Sequence, residues 1–254
     1  MSGHSKWSQI KRQKGAADVK RSALFSKLTI PIILAARSTG GDPEVNFSLK
    51  MAIERAREAN MPKENIERAI ERGTGKAGGA QIEEVLYEAM GPLGISIIIE
   101  AATDNKNRTA SEIKNALTKF GGKLTGAGAA SYLFSRMGKL LINIADQKKE
   151  EVEMSILDSG AEDFEEQDGS VAVYTAPRDL EKVKKNLEFS GVIAKEASLS
   201  WEPKDSVVIS DEAVARKILN LMDALDGLDD VSMVYTNFDL STELEASIAE
   251  ELIK

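Results

Sequence analysis

The stretch of sequence that decides the fold is Lys139–Trp201, KLLINIADQKKEEVEMSILDSGAEDFEEQDGSVAVYTAPRDLEKVKKNLEFSGVIAKEASLSW. Its apolar residues alternate between a period of two and a period of 3.6, which predicts strands and helices in turn. The predicted elements are a strand over 139–144, a helix over 147–157, a hairpin of strands 162–166 and 171–174 turned at Asp168 and Gly169, a helix over 180–189 and a strand over 197–201. That order is βαββαβ, the ferredoxin-like arrangement.

The segments on either side of this stretch predict the same arrangement cut in two. A strand over 95–100, a helix over 107–120 and a strand over 130–134 precede it, and a strand over 206–209, a helix over 211–225 and a strand over 231–237 follow it. A tail from Ser241, with Leu244, Ile248 and Leu252 four apart, predicts a closing amphipathic helix. We therefore predict one ferredoxin-like domain, residues 138–202, inserted into another formed by 81–137 and 203–254.

The residues before this pair of domains predict helices. Leu24, Leu28 and Ile32 form an apolar stripe in a helix from about residue 15, which Pro31 should kink or divide. A second helix should begin at Asp42 and Pro43, and a third at Pro62, ended by a left-handed Gly73. Residues 1–80 are thus a basic helical domain with a linker, and the predicted fold class is α+β and multi-domain.

The glycine-rich linker over 73–79 is not a phosphate loop. Ile70 stands where such a loop needs its first glycine, and Ala77 replaces the Ser or Thr that would hold magnesium. The run also follows a predicted helix instead of a strand.

Charge is distributed unevenly along the chain. The whole sequence has 33 basic and 41 acidic residues; the part through Lys76 has 15 basic and 8 acidic, which leaves 18 and 33 for the remainder. A basic end on an acidic protein predicts a polyanionic partner. The candidate nucleic-acid-binding residues are His4, Lys6, Trp7, Lys11, Arg12, Lys14, Lys20, Arg21 and Lys27.

Trp7 is the most informative of these residues. It can stack on an unpaired base while the lysines neutralise phosphates, although it can also dock on the helical domain. Lys20 and Lys27 are expected on the solvent side of the first helix. A solvated, poorly ordered arm is the alternative interpretation of the whole segment.

The loop over 103–109 supplies one more candidate, Arg108. It lies near the predicted start of a helix, where a phosphate could bind. Capping of that helix by Asp104 or Asn107 explains the other polar residues of the loop. No sequence-reading DNA-binding motif is present, so contacts should be mainly with backbone and shape.

Several function classes are disfavoured. The sequence has no cysteine and one histidine, which argues against disulfides, thiolate chemistry and multi-histidine metal centres. The acidic clusters 162–168 and 223–230 lack calcium-loop spacing, and no acid–base pair can be placed, so we predict no metal site, no cofactor, no small-molecule substrate and no catalytic residue.

The apolar runs are far shorter than the roughly 20 residues that span a bilayer, and the N-terminus is too polar for a secretory signal. We therefore expect a cytoplasmic protein without a membrane partner. A mitochondrial transit peptide is the alternative, but the segment is rich in Lys where such a peptide is rich in Arg and Ser.

Several short motifs resemble the YebC/PmpR family. They are Gly3 to Trp7, Asn60 to Lys63 with Asn65, Ile66 and Arg68, Tyr87 to Pro92, Thr103 to Thr109, and Ser131 to Phe134. The likeness covers nearly the whole chain and departs from the usual pattern at Gln13 and over 126–130. It implies a helical N-terminal domain followed by two α/β domains, one inserted in the other.

The resemblance also implies regulation of gene expression. Family members are labelled probable DNA-binding transcriptional regulatory proteins, while mitochondrial relatives are translational activators, including those of cytochrome oxidase, and bacterial relatives are linked to relief of ribosomes stalled on proline-rich chains. Two hypotheses follow: a DNA-binding transcription regulator, or a ribosome-associated factor whose basic arm binds ribosomal RNA. The oligomeric state is left open.

Overall fold

The computed structural model describes residues 21–76, 82–144, 149–167 and 169–244. The helical region consists of α1 (Arg21–Thr39), α2 (Phe47–Glu58) and α3 (Lys63–Gly73). Leu28, Ile32, Leu49, Ile53 and Ile66 are among the apolar side chains that form its core. No helix in the described ranges is long and apolar enough to cross a membrane.

Two local expectations for the helical region, the start of α2 and a left-handed Gly73, differ from the structure. Pro31 does not divide α1, which is continuous, and it is flanked by the buried Ile30, Ile32 and Ile33. The α2 helix begins at Phe47 and is capped by Asn46, whose side-chain oxygen accepts from the Leu49 amide at 3.0 Å.

Gly73 is not left-handed. A Cβ there would instead collide with the Ile33 carbonyl and, at 2.8 Å, with Ala36, so glycine permits α3 to approach α1. The left-handed residue is Gly75, with φ of 79°.

The first sheet contains β1 (Glu83–Met90), β2 (Ser96–Thr103), β3 (Lys123–Leu124) and β9 (Val231–Thr236), in the order β3-β1-β2-β9. All its neighbouring strands are antiparallel. The helices α4 (Lys106–Lys119) and α7 (Glu212–Asp226) bury their apolar faces against one side of it.

The second sheet contains β4 (Phe134–Asn143), β5 (Asp163–Gln167), β6 (Ser170–Thr175) and β7 (Ala194–Pro203), in the order β5-β6-β4-β7. Its strands are also antiparallel. The helices α5 (Lys149–Ser159) and α6 (Leu180–Phe189) cover one face. Two short strands, β8 (Val207–Ile209) and β10 (Phe238–Leu240), form a separate parallel pair.

The predicted α+β class is confirmed, with a helical region followed by two helix-backed sheets, one inserted within the other. The predicted strands of the first sheet were partly wrong. The β1 strand was not predicted, the segment 131–133 is a 3₁₀ turn and not a strand, and β8 pairs with β10 outside the four-stranded sheet.

The helical region contacts both sheet layers. Lys27 of α1 pairs with Asp226 at the end of α7, with Nζ and Oδ1 3.4 Å apart. Lys184 of α6, only 8% exposed, pairs with Glu54 of α2 at 3.2 Å. The Lys27–Asp226 pair lies beside the first sheet, where the helical region and that sheet enclose a cleft, and the Lys184–Glu54 pair joins the helical region to the second sheet domain.

Candidate nucleic-acid interface

Most residues of the predicted binding arm lie outside the described part of the chain. They are His4, Lys6, Trp7, Lys11, Arg12, Lys14 and Lys20. Arg21 is the first residue of α1. Two candidates, Lys27 and Arg108, have described side chains. Binding by all these residues stays a prediction.

Lys27 was expected on the solvent side of α1, but the structure places it against α7. Its side chain is 20% exposed, and besides the ion pair with Asp226 its ammonium donates to the Asp226 backbone carbonyl. The structure therefore gives Lys27 a part in joining the helical region to α7.

Arg108 lies in the first turn of α4, as expected, but carboxylates surround its guanidinium. Its Nη2 donates to Asp230 at 2.8 and 3.1 Å and to Asp104 at 3.1 Å. The hydrogen bond and charge of Asp230 raise the pKa of Arg108. The residue that caps α4 is Asn105, whose side-chain oxygen accepts from the Arg108 amide at 3.1 Å. The predicted caps, Asp104 and Asn107, do not take this role.

Asp230 is the centre of this arrangement. Its Oδ2 also accepts from the hydroxyls of Thr109 at 2.6 Å and Thr103 at 3.1 Å. Burial raises the pKa of Asp230, but the hydrogen bonds from Thr109, Arg108 and Thr103 lower it more, so the net shift is downward. Asp226 and Asp230, both from the acidic cluster 223–230, thus neutralise the two described candidate cations.

Six cations of α2, α3 and the residues just after α3 are exposed and make no ion pair within the described residues. They are Lys50, Arg55 and Arg57 of α2, Arg68 and Arg72 of α3, and Lys76 after it. None of these six was predicted to be a binding residue. The only indication of them in the sequence was the excess of basic residues through Lys76. That excess does not show which of the cations lack an acidic partner.

Arg68 and Arg72 line a cleft of about 580 Å³ between the helical region and the first sheet. The α1 wall of the cleft includes Phe25, Thr29 and Ile33, and Asn65 lies with the two arginines on α3. Residues three and four apart share one face of a helix, so Asn65, Arg68 and Arg72 present a polar row to the cleft. The opposite wall is the group around Asp230 with Ala102.

Chemically, this arrangement favours binding of anionic groups over covalent catalysis. Guanidinium groups match phosphate oxygens in geometry and charge. Within the described ranges, no group of three or more His, Cys, Asp or Glu side chains is placed to hold a metal ion.

The fold and this cationic helical surface define a class of protein with a basic helical N-terminal domain and two α+β domains. Residues 5–76 match the family model described as the TACO1/YebC protein N-terminal domain, and residues 82–238 match the TACO1/YebC second and third domain. The chain belongs to the TACO1/YebC family.

Relatives named "probable transcriptional regulatory protein" are similar over nearly the full length. The protein from Halothermothrix orenii is 45% identical over 99% of this chain and 100% of its own, and that from Pseudothermotoga lettingae is 47% identical over 98% and 99%. The crystal structure of a conserved hypothetical protein from Aquifex aeolicus has a TM-score of 0.84 at 44% identity, over 89% of this chain and 93% of its own.

Proposed function

We propose that this protein is a non-enzymatic, nucleic-acid-binding regulator of gene expression, with DNA as its target. The observation that carries the proposal is the set of six exposed, unpaired cations on the described helical region, next to a basic segment that begins at Lys6. Lysine and arginine side chains that meet phosphates release counterions, which supplies most non-specific binding energy. The printed names of the relatives support a regulatory role.

A second candidate, a ribosome-associated translation factor that binds RNA, is favoured by the surface of α3. Glu64, Glu67 and Glu71 form an exposed acidic row beside Arg68 and Arg72. A helix lying in the groove of a duplex would bring such carboxylates close to phosphates, at an electrostatic cost. A narrow cationic row suits a single strand or structured RNA better.

Fluorescence anisotropy with a labelled DNA duplex and a labelled RNA hairpin tests both candidates. The variant Lys11→Glu/Arg12→Glu/Lys14→Glu should lose at least about tenfold in affinity, because each charge reversal removes a phosphate contact. The matched control reverses three exposed lysines of the sheet domains, Lys114, Lys182 and Lys195, and should bind as the wild type does.

The preferred ligand separates the two candidates. Tighter binding of the duplex supports DNA regulation, whereas tighter binding of the hairpin supports the translation factor. If neither ligand binds, or if both triple variants lose affinity equally, the proposed role of the basic end is wrong.

A further inference from the structure

The cleft between the helical region and the first sheet has the size of a small-ligand site. Its volume of about 580 Å³ falls within the roughly 300–1,000 Å³ typical of such sites. The α1 wall presents the partly exposed ring of Phe25, which lies beside the buried Ile30 and Ile33. A flat, weakly polar ring could bind there and remove apolar surface from water.

The edge of the cleft supplies phosphate-binding groups. Arg68 and Arg72 lie one helical turn apart, both exposed, and neither makes an ion pair within the described residues. An arginine that has no carboxylate partner keeps its full set of donors for phosphate oxygens. Two such side chains on one helical face can hold a single phosphate between them.

The opposite wall supplies further donors and acceptors. Every hydrogen bond of Arg108 to Thr103, Asp104 and Asp230 uses its Nη2 atom. The N–H groups on Nη1 and Nε donate to no described residue, and the Arg108 side chain is 47% exposed. The remaining N–H groups of Arg108 match acceptor oxygens on the edge of a base, and the exposed Asp104 carboxylate can accept from a ribose hydroxyl.

We propose that this cleft binds one unpaired nucleotide, with its phosphate on Arg68 and Arg72 and its base against the wall that contains Phe25. A base within a duplex is stacked and paired, so only a nucleotide outside a duplex can enter. The nucleotide comes either from an unpaired strand, which rests on the proposed nucleic-acid-binding function, or from a free nucleoside monophosphate.

Calorimetric titration of the full chain with AMP, UMP, uridine and inorganic phosphate tests the site. The wild type should bind the nucleotides at least about tenfold more tightly than uridine or phosphate alone, because only the nucleotide uses both parts of the cleft. Arg68→Gln/Arg72→Gln should weaken nucleotide binding by at least about tenfold. The control Lys114→Gln/Lys182→Gln removes two exposed charges outside the cleft and should bind nucleotide as the wild type does.

The source of the nucleotide is tested with single-stranded RNA that contains 5-iodouridine. Photocross-linking should label the tryptic peptide 22–27, which contains Phe25, and UMP should compete if the strand and the free nucleotide share the site. UMP binding with no binding of RNA or DNA would leave the cleft proposal standing and overturn the nucleic-acid-binding function.

Three results would overturn the cleft proposal. They are phosphate binding as tight as nucleotide binding, equal losses in the two double variants, and no nucleotide binding. If RNA still binds in any of these cases, the proposed function survives and the cleft assignment alone fails. Unfolding curves for both double variants establish that each is folded; the exposure of all four side chains predicts that they are.

Discussion

Lys27 and Asp226 are 199 residues apart in sequence and form an ion pair, with Nζ 3.4 Å from Oδ1, that joins α1 to the end of α7. Both side chains are 20% exposed. An ion pair shielded from water in this way depends on both partners, because either charge alone would be poorly solvated. This contact helps fix the helical region beside the first sheet and so helps shape the cleft.

Lys27→Met should therefore lower the free energy of unfolding by about 1–3 kcal/mol, because Asp226 would lose its charged partner. The control is Lys63→Met, which removes an ion pair between Lys63 and Glu67. The Lys63 side chain is 85% exposed and the Glu67 side chain 57%. That change should cost less than about 0.5 kcal/mol. Urea unfolding measures both, and similar values for the two variants would contradict the importance given to Lys27.

A buried carboxylate organises the loop that leads into the second sheet. Glu88 of β1, 5% exposed, accepts from the backbone amides of Gly128 at 2.8 Å, Ala130 at 2.5 Å and Ser131 at 2.9 Å. Glu88→Gln should cost about 1–3 kcal/mol at pH 7, because both carboxylate oxygens accept from backbone amides and the NH₂ group that replaces one of them cannot accept. Glu84→Gln, an exposed change on the same strand, is the control.

This cost should depend on pH. Burial raises the pKa of Glu88, but the backbone hydrogen bonds from Ala130, Gly128 and Ser131 outweigh it, so the folded-state pKa is below the ordinary value. A carboxyl with a lowered folded pKa contributes stability above its unfolded pKa, about 4.3, and loses it as the pH falls through the folded value. The difference between wild type and Glu88→Gln should shrink on acidification below about pH 4; a constant difference would contradict the account.

Asp230→Asn should have two measurable effects. It removes the carboxylate that binds Thr103, Arg108 and Thr109, so the free energy of unfolding should fall by about 1–3 kcal/mol at pH 7. It also removes a negative charge from the cleft, so UMP affinity should rise about two- to fivefold at low salt. Calorimetry with Asp239→Asn, a carboxyl outside the cleft, provides the comparison; equal affinities in the two variants would contradict a role for this wall.

The close approach of α3 to α1 gives a packing prediction. Gly73→Ala would drive a methyl group into the Ile33 carbonyl and Ala36, and should cost about 1–3 kcal/mol. Gly126→Ala, where no atom lies within 4 Å of the added Cβ, should be nearly neutral. Thermal unfolding distinguishes them, and an unchanged midpoint for Gly73→Ala would show that the helices separate easily.

Much of the second sheet and its helices could be predicted from the sequence. The α6 helix spans 180–189 as predicted, and β5 and β6 pair as the predicted antiparallel hairpin strands, with Gln167 opposite Ser170. These elements have clear periodic burial, with Val183 and Leu187 inward on α6. In contrast, β1 has three glutamates among eight residues, and one of them, Glu88, is buried to bind a loop, so its pattern did not indicate a strand.

The candidate site could be predicted only in part. Composition indicated that the helical end is cationic, but the pairing of Lys27 with Asp226 and of Arg108 with Asp230 joins residues 199 and 122 positions apart. No local pattern specifies such pairs. The cleft beside Arg68 and Arg72 likewise exists only because of how the helical region is placed against the first sheet.

The salt dependence of RNA and DNA binding tests the central claim, that the cationic helical end binds nucleic acid, most directly. For the wild type, log affinity should fall linearly with log salt concentration, with a slope of about −0.7 to −0.9 for each phosphate neutralised. Lys11→Glu/Arg12→Glu/Lys14→Glu should flatten that slope by about two to three, while reversal of Lys114, Lys182 and Lys195 should leave it unchanged. Equal slopes for the wild type and both triple variants would contradict the claim.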